Sequence, residues 1–139
     1  MNQKTVVMLK PDVANRWSLV TQILNMFPRS PRICAMRLHR FTKEELRAFY
    51  AEHVGRQYYE AHERFMLSGP VLLILLEGYY IVREMRDAIG PTDPERAITE
   101  APGSIRAKFG KSLPMNAIHA SDSTESAERE AALLRLSEV

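Results

Sequence analysis

An α+β sandwich, with helices covering an antiparallel sheet, is the fold class this sequence predicts. Three observations predict it. The apolar run Val71 to Leu76 lies between Ser68-Gly69-Pro70 and Glu77-Gly78, which gives it the length of a buried central strand; it is far too short to cross a bilayer. Helical spacing recurs along the chain while strand-like segments are few. The resulting order is roughly β-α-β-α-α-β-α-loop-β-α, which suits a doubly wound parallel sheet less well.

Each element follows from local chemistry. Thr5 to Leu9 reads as a strand that ends at Lys10-Pro11-Asp12. Leu19, Ile23, Met26 and Phe27 keep helical spacing until Pro28 and Pro31 stop it. Ile33 to Phe41 is a second strand with partial alternation, in which Cys34 is read as a small buried hydrophobe in step with Met36 and Leu38. Thr42-Lys43-Glu44-Glu45 is a capping box that opens a helix through Leu46 and Tyr50. A further helix runs from about Gln57 to Met66, then the central strand to Glu77, then a helix from about Tyr79 to Ala88. Gly90 to Pro114 carries four of the eight prolines and three of the six glycines with no sustained periodicity. That pattern predicts a long irregular loop at about 90–115, anchored by Ile105 and Phe109. A short strand near Ile118 precedes the last helix, Ser123 to Leu136.

Bulk properties narrow the function. A length of 139 residues fits one domain, 1–139, able to bury a core without staples. The formal net charge of +2 gives no electrostatic case for a nucleic-acid or membrane partner, and neither is expected. Cys34 is the lone cysteine, so no intrachain disulfide forms and a reducing, cytoplasmic setting is expected. Met1 to Leu9 lack a basic segment followed by a long apolar core, so no signal peptide is expected.

The most informative stretch is Asn116 to Glu130. His119 stands directly before a helix start signalled by Asp122, Ser123 and Glu125. In that helix Ala127, Ala131 and Leu134 recur at inward spacing, and Glu130 projects along the same stripe. No cation lies three or four residues from Glu130, so an intrahelical ion pair does not account for it, whereas Glu125 and Arg129 have ordinary surface-pair spacing. An inward carboxylate beside a histidine implies an oriented imidazole; the plainer alternative is a chance histidine with a snorkelling glutamate.

Lys10 at a strand end, Arg86 late in a helix and Arg106 in the long loop suit phosphate together, although each alone reads more readily as a solvated surface cation. There is no glycine-lysine phosphate loop and no Gly-x-Gly-x-x-Gly. A polyphosphate would therefore be held by side chains and a metal ion. His39, His53, His62 and His119 form no close pair in sequence and have no cysteine partner, which argues against structural zinc.

Read together, the motifs resemble those of the nucleoside diphosphate kinase family, from about Thr5 to Leu134. The Asn-x-x-His-(Gly/Ala)-Ser-Asp signature stands as Asn116 to Asp122, followed by Ser-x-Glu-Ser-Ala-x-x-Glu from Ser123 to Glu130. Lys10-Pro11-Asp12, Ser68-Gly69-Pro70, Gly90-Pro91-Thr92-Asp93-Pro94 and Pro102-Gly103-Ser104-Ile105-Arg106 match further family motifs in the same order.

The resemblance implies a ferredoxin-like sandwich on a four-stranded antiparallel sheet. It implies transfer of a terminal phosphoryl group between nucleoside tri- and diphosphates, by a ping-pong route through phosphohistidine, with low base selectivity. It makes His119 the nucleophile, with Ser121 and Glu130 orienting the ring and Tyr50 nearby. Lys10, Arg86, Thr92, Arg106 and Asn116 would hold phosphates and sugar. Tyr58 stands where the family has a phenylalanine stacking on the base, and His62 where it has an aliphatic contact. Mg2+ would come with the phosphates rather than through protein ligands, and a homo-oligomer is implied.

The chain departs from the family pattern at Val13 to Val20, around Pro94 to Ala101, where about three residues are extra, and at Met115, commonly arginine. The alternatives are a catalytically weak or inactive nucleotide-binding or scaffold protein on the same fold, and, by fold analogy alone, a nucleic-acid binder. Few aromatics on the strands and a balanced charge argue against the last.

Overall fold

A computed structural model describes residues 2–139. Its elements are β1 (Asn2–Leu9), α1 (Trp17–Leu24), β2 (Arg32–His39), α2 (Lys43–Phe49), a 3-10 turn (Ala51–His53), α3 (Tyr59–Leu67), β3 (Val71–Tyr79), α4 (Ile81–Ile89), α5 (Pro94–Glu100), α6 (Ile105–Phe109), β4 (Ile118–Ala120) and α7 (Thr124–Leu133). The sheet runs in the order β2-β3-β1-β4, with every neighbouring pair antiparallel. The α+β sandwich and its four-stranded sheet are as expected.

The sheet explains why the apolar run in β3 never alternates. β1 and β3 are its central strands, so successive side chains enter two different cores. Val7, Leu9, Leu72, Ile74 and Leu76 pack with Val20 and Ile23 of α1, Ile81, Met85 and Ile89 of α4 and Ile105 of α6. Val6, Met8, Leu73 and Leu75 pack on the opposite face with Leu46 and Phe49 of α2, Met66 of α3 and Leu134 after α7.

Several expectations are corrected. The stretch expected to be irregular at 90–115 contains two short helices, each started by a side-chain cap. Asp93 accepts from the Glu95 amide with Pro94 in the first turn, and Ser104 accepts from the Ala107 amide. They are too short to display a periodicity. Gly90 ends α4 at φ +81, where a Cβ would sit 2.4 Å from Ser104 Oγ, so only glycine fits. In β2 the register shifts between Ile33 and Ala35; Cys34 and Ala35 are both buried while Met36 and Leu38 are exposed, so the expected shared face is lost to a bulge.

The last helix is three residues shorter at its C-terminus than expected. Arg135 adopts φ +52, and the amides of Leu136 and Arg135 bond back to the carbonyls of Ala131 and Ala132. This is a Schellman ending without its usual glycine, so the stop signal was not in the sequence. Arg129 donates to the carbonyls of Ala48 and Phe49, tying α7 to α2, rather than serving as a surface partner for Glu125.

Candidate active site

β4 determines which way the histidine points. Ile118 and Ala120 turn into the α1/α4 core, so His119 between them must face the α2/α7 side, opposite Met8 of β1. There its ring packs edge-on against Phe49, with centroids 5.3 Å apart, and against Tyr50 at 6.4 Å. Its side chain keeps 19% of its surface exposed.

The inward carboxylate has the partner that its position implied. Glu130 lies on the buried stripe of α7 with Ala127, and its Oε1 is 3.2 Å from His119 Nε2. Ser121 Oγ donates to the same oxygen at 2.8 Å and itself accepts from the Val6 amide at 2.9 Å. Nε2 is thereby engaged from behind by a fixed acid, which leaves Nδ1 as the ring nitrogen available for other chemistry.

Cationic and polar groups from distant segments are tied to the backbone that leads into this residue or pack about Tyr50 beside it. Lys10 is almost wholly buried at the end of β1; burial first, and then the Arg106 guanidinium, lower its pKa to about 7. Arg106 on α6 is also buried and donates to the carbonyls of Gly90 at 3.0 Å and Ile118 at 2.7 Å, while its Nε has no partner. Burial, then repulsion from Arg86, brings its pKa down to about 10. Asn116 is buried, donates to the Thr92 carbonyl at 2.9 Å and leaves Oδ1 unpartnered. Tyr50 has a buried hydroxyl without a partner, whose pKa is raised by burial and then by Glu130. His62 packs edge-on against Tyr50 at 4.5 Å, and burial, then Lys10, lower its pKa to about 4. Buried polar atoms without partners are rare in folded proteins, and their concentration here marks a place built to receive a polar ligand.

Other candidate residues form the rim. Arg86 is exposed and pairs with Asp122 at 2.6 Å. Thr92 has an exposed side chain and contributes only its carbonyl to the contacts here. Tyr58 is 55% exposed and hydrogen-bonds His53 Nδ1. Sequence reasoning did not single out Phe49, His53 or Asp12 as site residues. Phe49 has the spacing of an ordinary core aromatic on α2, and His53 lies in a turn with no periodicity. Asp12 lies in the Lys10-Pro11-Asp12 motif, where no local pattern gives it a role.

The chain is also similar to known proteins. The family model described as "Nucleoside diphosphate kinase" matches residues 3–138. The nucleoside diphosphate kinase of Streptomyces griseus is 46% identical over 132 residues, 94% of this chain and 93% of that protein. A crystal form of the Aquifex aeolicus nucleoside diphosphate kinase superposes with a TM-score of 0.90 at 38% identity, covering 100% of both chains. The ligand-free enzyme of Encephalitozoon cuniculi gives 0.87 at 31% identity over 94% of this chain and 87% of that one.

Proposed function

The chain belongs to the nucleoside diphosphate kinase family, and from that membership and the geometry of His119 we propose that it moves the terminal phosphoryl group of a nucleoside triphosphate to a nucleoside diphosphate through phosphohistidine. One observation carries the reading: a partly exposed imidazole has Nε2 engaged by Glu130 while buried Lys10 and Arg106 bond the backbone just before it, Arg106 with an unpartnered Nε and Lys10 with its charge suppressed by burial.

The Nδ1 lone pair attacks the terminal phosphorus, the bond to the bridging oxygen breaks, and a nucleoside diphosphate leaves. A terminal oxygen of a second diphosphate then attacks the same phosphorus, the N–P bond breaks, and the neutral ring returns. Glu130 accepts the Nε2 proton's hydrogen bond throughout, fixing the tautomer and opposing the positive charge that develops on the ring. Lys10, Arg106 and Asn116 hold the oxygens of the transferring group, Arg86 and Thr92 lie further out, and Tyr58 offers a ring face that any base can stack on.

Among the described residues no cluster of three or more His, Cys, Asp or Glu side chains could hold a metal by itself. Mg2+ carried on the nucleotide phosphates would supply charge neutralisation beside Lys10 and Arg106.

The chain works in the cytoplasm in this reading, which its buried lone Cys34 supports; no helix among the described residues is long and apolar enough to cross a membrane. It also self-associates. β2 is an edge strand with exposed Ile33, Met36 and Leu38, and Trp17 of α1 is 79% exposed, a combination that favours pairing with a second copy. Light scattering across a concentration series tests this, and a strict monomer refutes it.

Incubation with γ-labelled ATP tests the reaction. Label on the protein should survive alkali, be lost in acid and be absent from His119→Ala. A protein that binds nucleotide but takes up no such label is the inactive relative instead.

A further inference from the structure

Residues Asn116, Ala117 and Ile118 form a γ-turn immediately before the histidine. The Ile118 amide donates to the Asn116 carbonyl at 2.9 Å, and Ala117 at its centre has φ +76. That conformation is strained for a residue with a Cβ and persists only where surrounding contacts enforce it. Two contacts do so here. The Lys10 amide donates to the Ala117 carbonyl at 2.8 Å, and the Ala117 amide donates to Asp12 Oδ2 at 3.1 Å.

The second contact depends on one side chain. Ala117 is fully buried, so its amide would lose its partner if Asp12 were removed. Asp12 is itself held in place because the Lys10 carbonyl accepts from the Val13 and Ala14 amides, closing a turn around Pro11. Its carboxylate is half-buried, its Oδ1 has no partner, and burial raises its pKa. Lys10 and Lys111 are the charged groups that face it. Such a carboxylate is expensive to keep unless its position matters. The turn it grips carries Asn116 on one side and leads into Ile118, which accepts from Arg106, and then His119.

We propose that Asp12 is a positioning residue, whose Oδ2 locks Ala117 in its left-handed conformation and so aims His119 and Asn116 at the phosphate. This rests on the phosphohistidine reading for its catalytic consequence, though not for its structural one. Asp12 touches no reacting atom; it acts through a backbone amide 105 residues away in sequence.

The test is a double-mutant cycle of Asp12→Ala with Ala117→Gly, plus Asp12→Asn, because glycine adopts φ +76 without help and asparagine keeps an acceptor. Two readouts need no activity: hydrogen exchange of the residue-117 amide and the NMR titration of the His119 ring. Two others are the rate of phosphohistidine formation and the nucleotide dissociation constant. In the parent, Asp12→Ala should speed exchange at least about tenfold and slow phosphohistidine formation about 10- to 100-fold, with the dissociation constant within about threefold. In the Ala117→Gly background the same substitution should slow the reaction by about threefold or less, and Asp12→Asn should retain most of the rate. If Asp12→Ala does not fold, Asp12→Asn and the glycine background still decide the matter. Unchanged exchange, an asparagine variant that behaves as the alanine one should, or an equal loss in both backgrounds overturns the proposal. Absence of any phosphohistidine in the parent would instead overturn the reaction, while exchange and ring titration still judge Asp12.

Discussion

His119 Nε2 and the Glu130 carboxylate lie 3.2 Å apart, and Ser121 holds the same carboxylate oxygen from the other side at 2.8 Å. The acid is therefore fixed before any substrate arrives, and in the proposed reaction its contribution is orientation and charge stabilisation. Glu130→Ala should lower phosphohistidine formation by roughly 100-fold, the lower end of what one lost electrostatic contact costs. Nucleotide binding should persist, since Glu130 faces the ring from behind. Transient labelling compared with equilibrium binding separates the two effects, and equal losses in both would contradict an orienting role.

Arg106 joins two parts of the protein as well as facing the site. Its side chain satisfies the carbonyls of Gly90 and Ile118. Arg106→Ala should slow phosphoryl transfer about 100-fold and also reduce stability by about 1–3 kcal/mol, because buried carbonyls lose their donor. Single-turnover kinetics and a urea midpoint measure the two losses in one variant.

With Lys10 on the phosphates, as proposed, nucleotide binding acquires a pH dependence whose sign is fixed. Its free-state pKa is lowered to about 7, chiefly by burial. A bound polyphosphate favours the charged amine and raises that value, so above pH 7 binding takes up a proton. Affinity should fall by up to about tenfold per pH unit as pH rises from 7 toward the bound-state value. Calorimetry at pH 8 in two buffers of different ionisation enthalpy should show uptake that disappears in Lys10→Met; proton release would reverse the assignment.

Tyr58 stands on the rim with its ring exposed. Tyr58→Ala should weaken adenine, guanine and pyrimidine nucleotides alike, by about 1–3 kcal/mol if the ring stacks on each base. Competition binding across four nucleotides reads this directly, and a loss confined to one base would refute simple stacking.

Gly90 is the tightest point behind the site. With φ +81 and Ser104 Oγ 2.4 Å from any added Cβ, Gly90→Ala should destabilise the fold by more than about 1 kcal/mol. Denaturant unfolding checks the value, and Ser104→Ala should not rescue it, because Ser104 Cβ would still lie 2.6 Å from the added methyl and the α6 cap would be lost.

Much of the site was legible because its key pair is local. His119 and Glu130 are 11 residues apart, and helical spacing alone placed the acid on the inward stripe. Capping likewise gave the starts of α2 and α7, since Thr42 and Ser123 bond amides only three residues away. Periodicity could not find α5 and α6, which are too short for a repeat. Nor could it find the end of α7, where Arg37 donates to the carbonyls of Leu134 and Arg135 and Arg135 adopts a conformation normally left to glycine.

The sequence by itself determined the strands, most helices and the inward carboxylate beside His119, because each follows from spacing within one segment. The tertiary structure alone decided that Lys10 and Arg106 bond the backbone just before His119 and that Asp12 grips Ala117. Contacts such as the one from Val6 to Ser121, spanning 115 residues, leave no periodic trace in the chain. They exist only once antiparallel pairing of β1 with β4 brings the two ends of the sequence into one sheet.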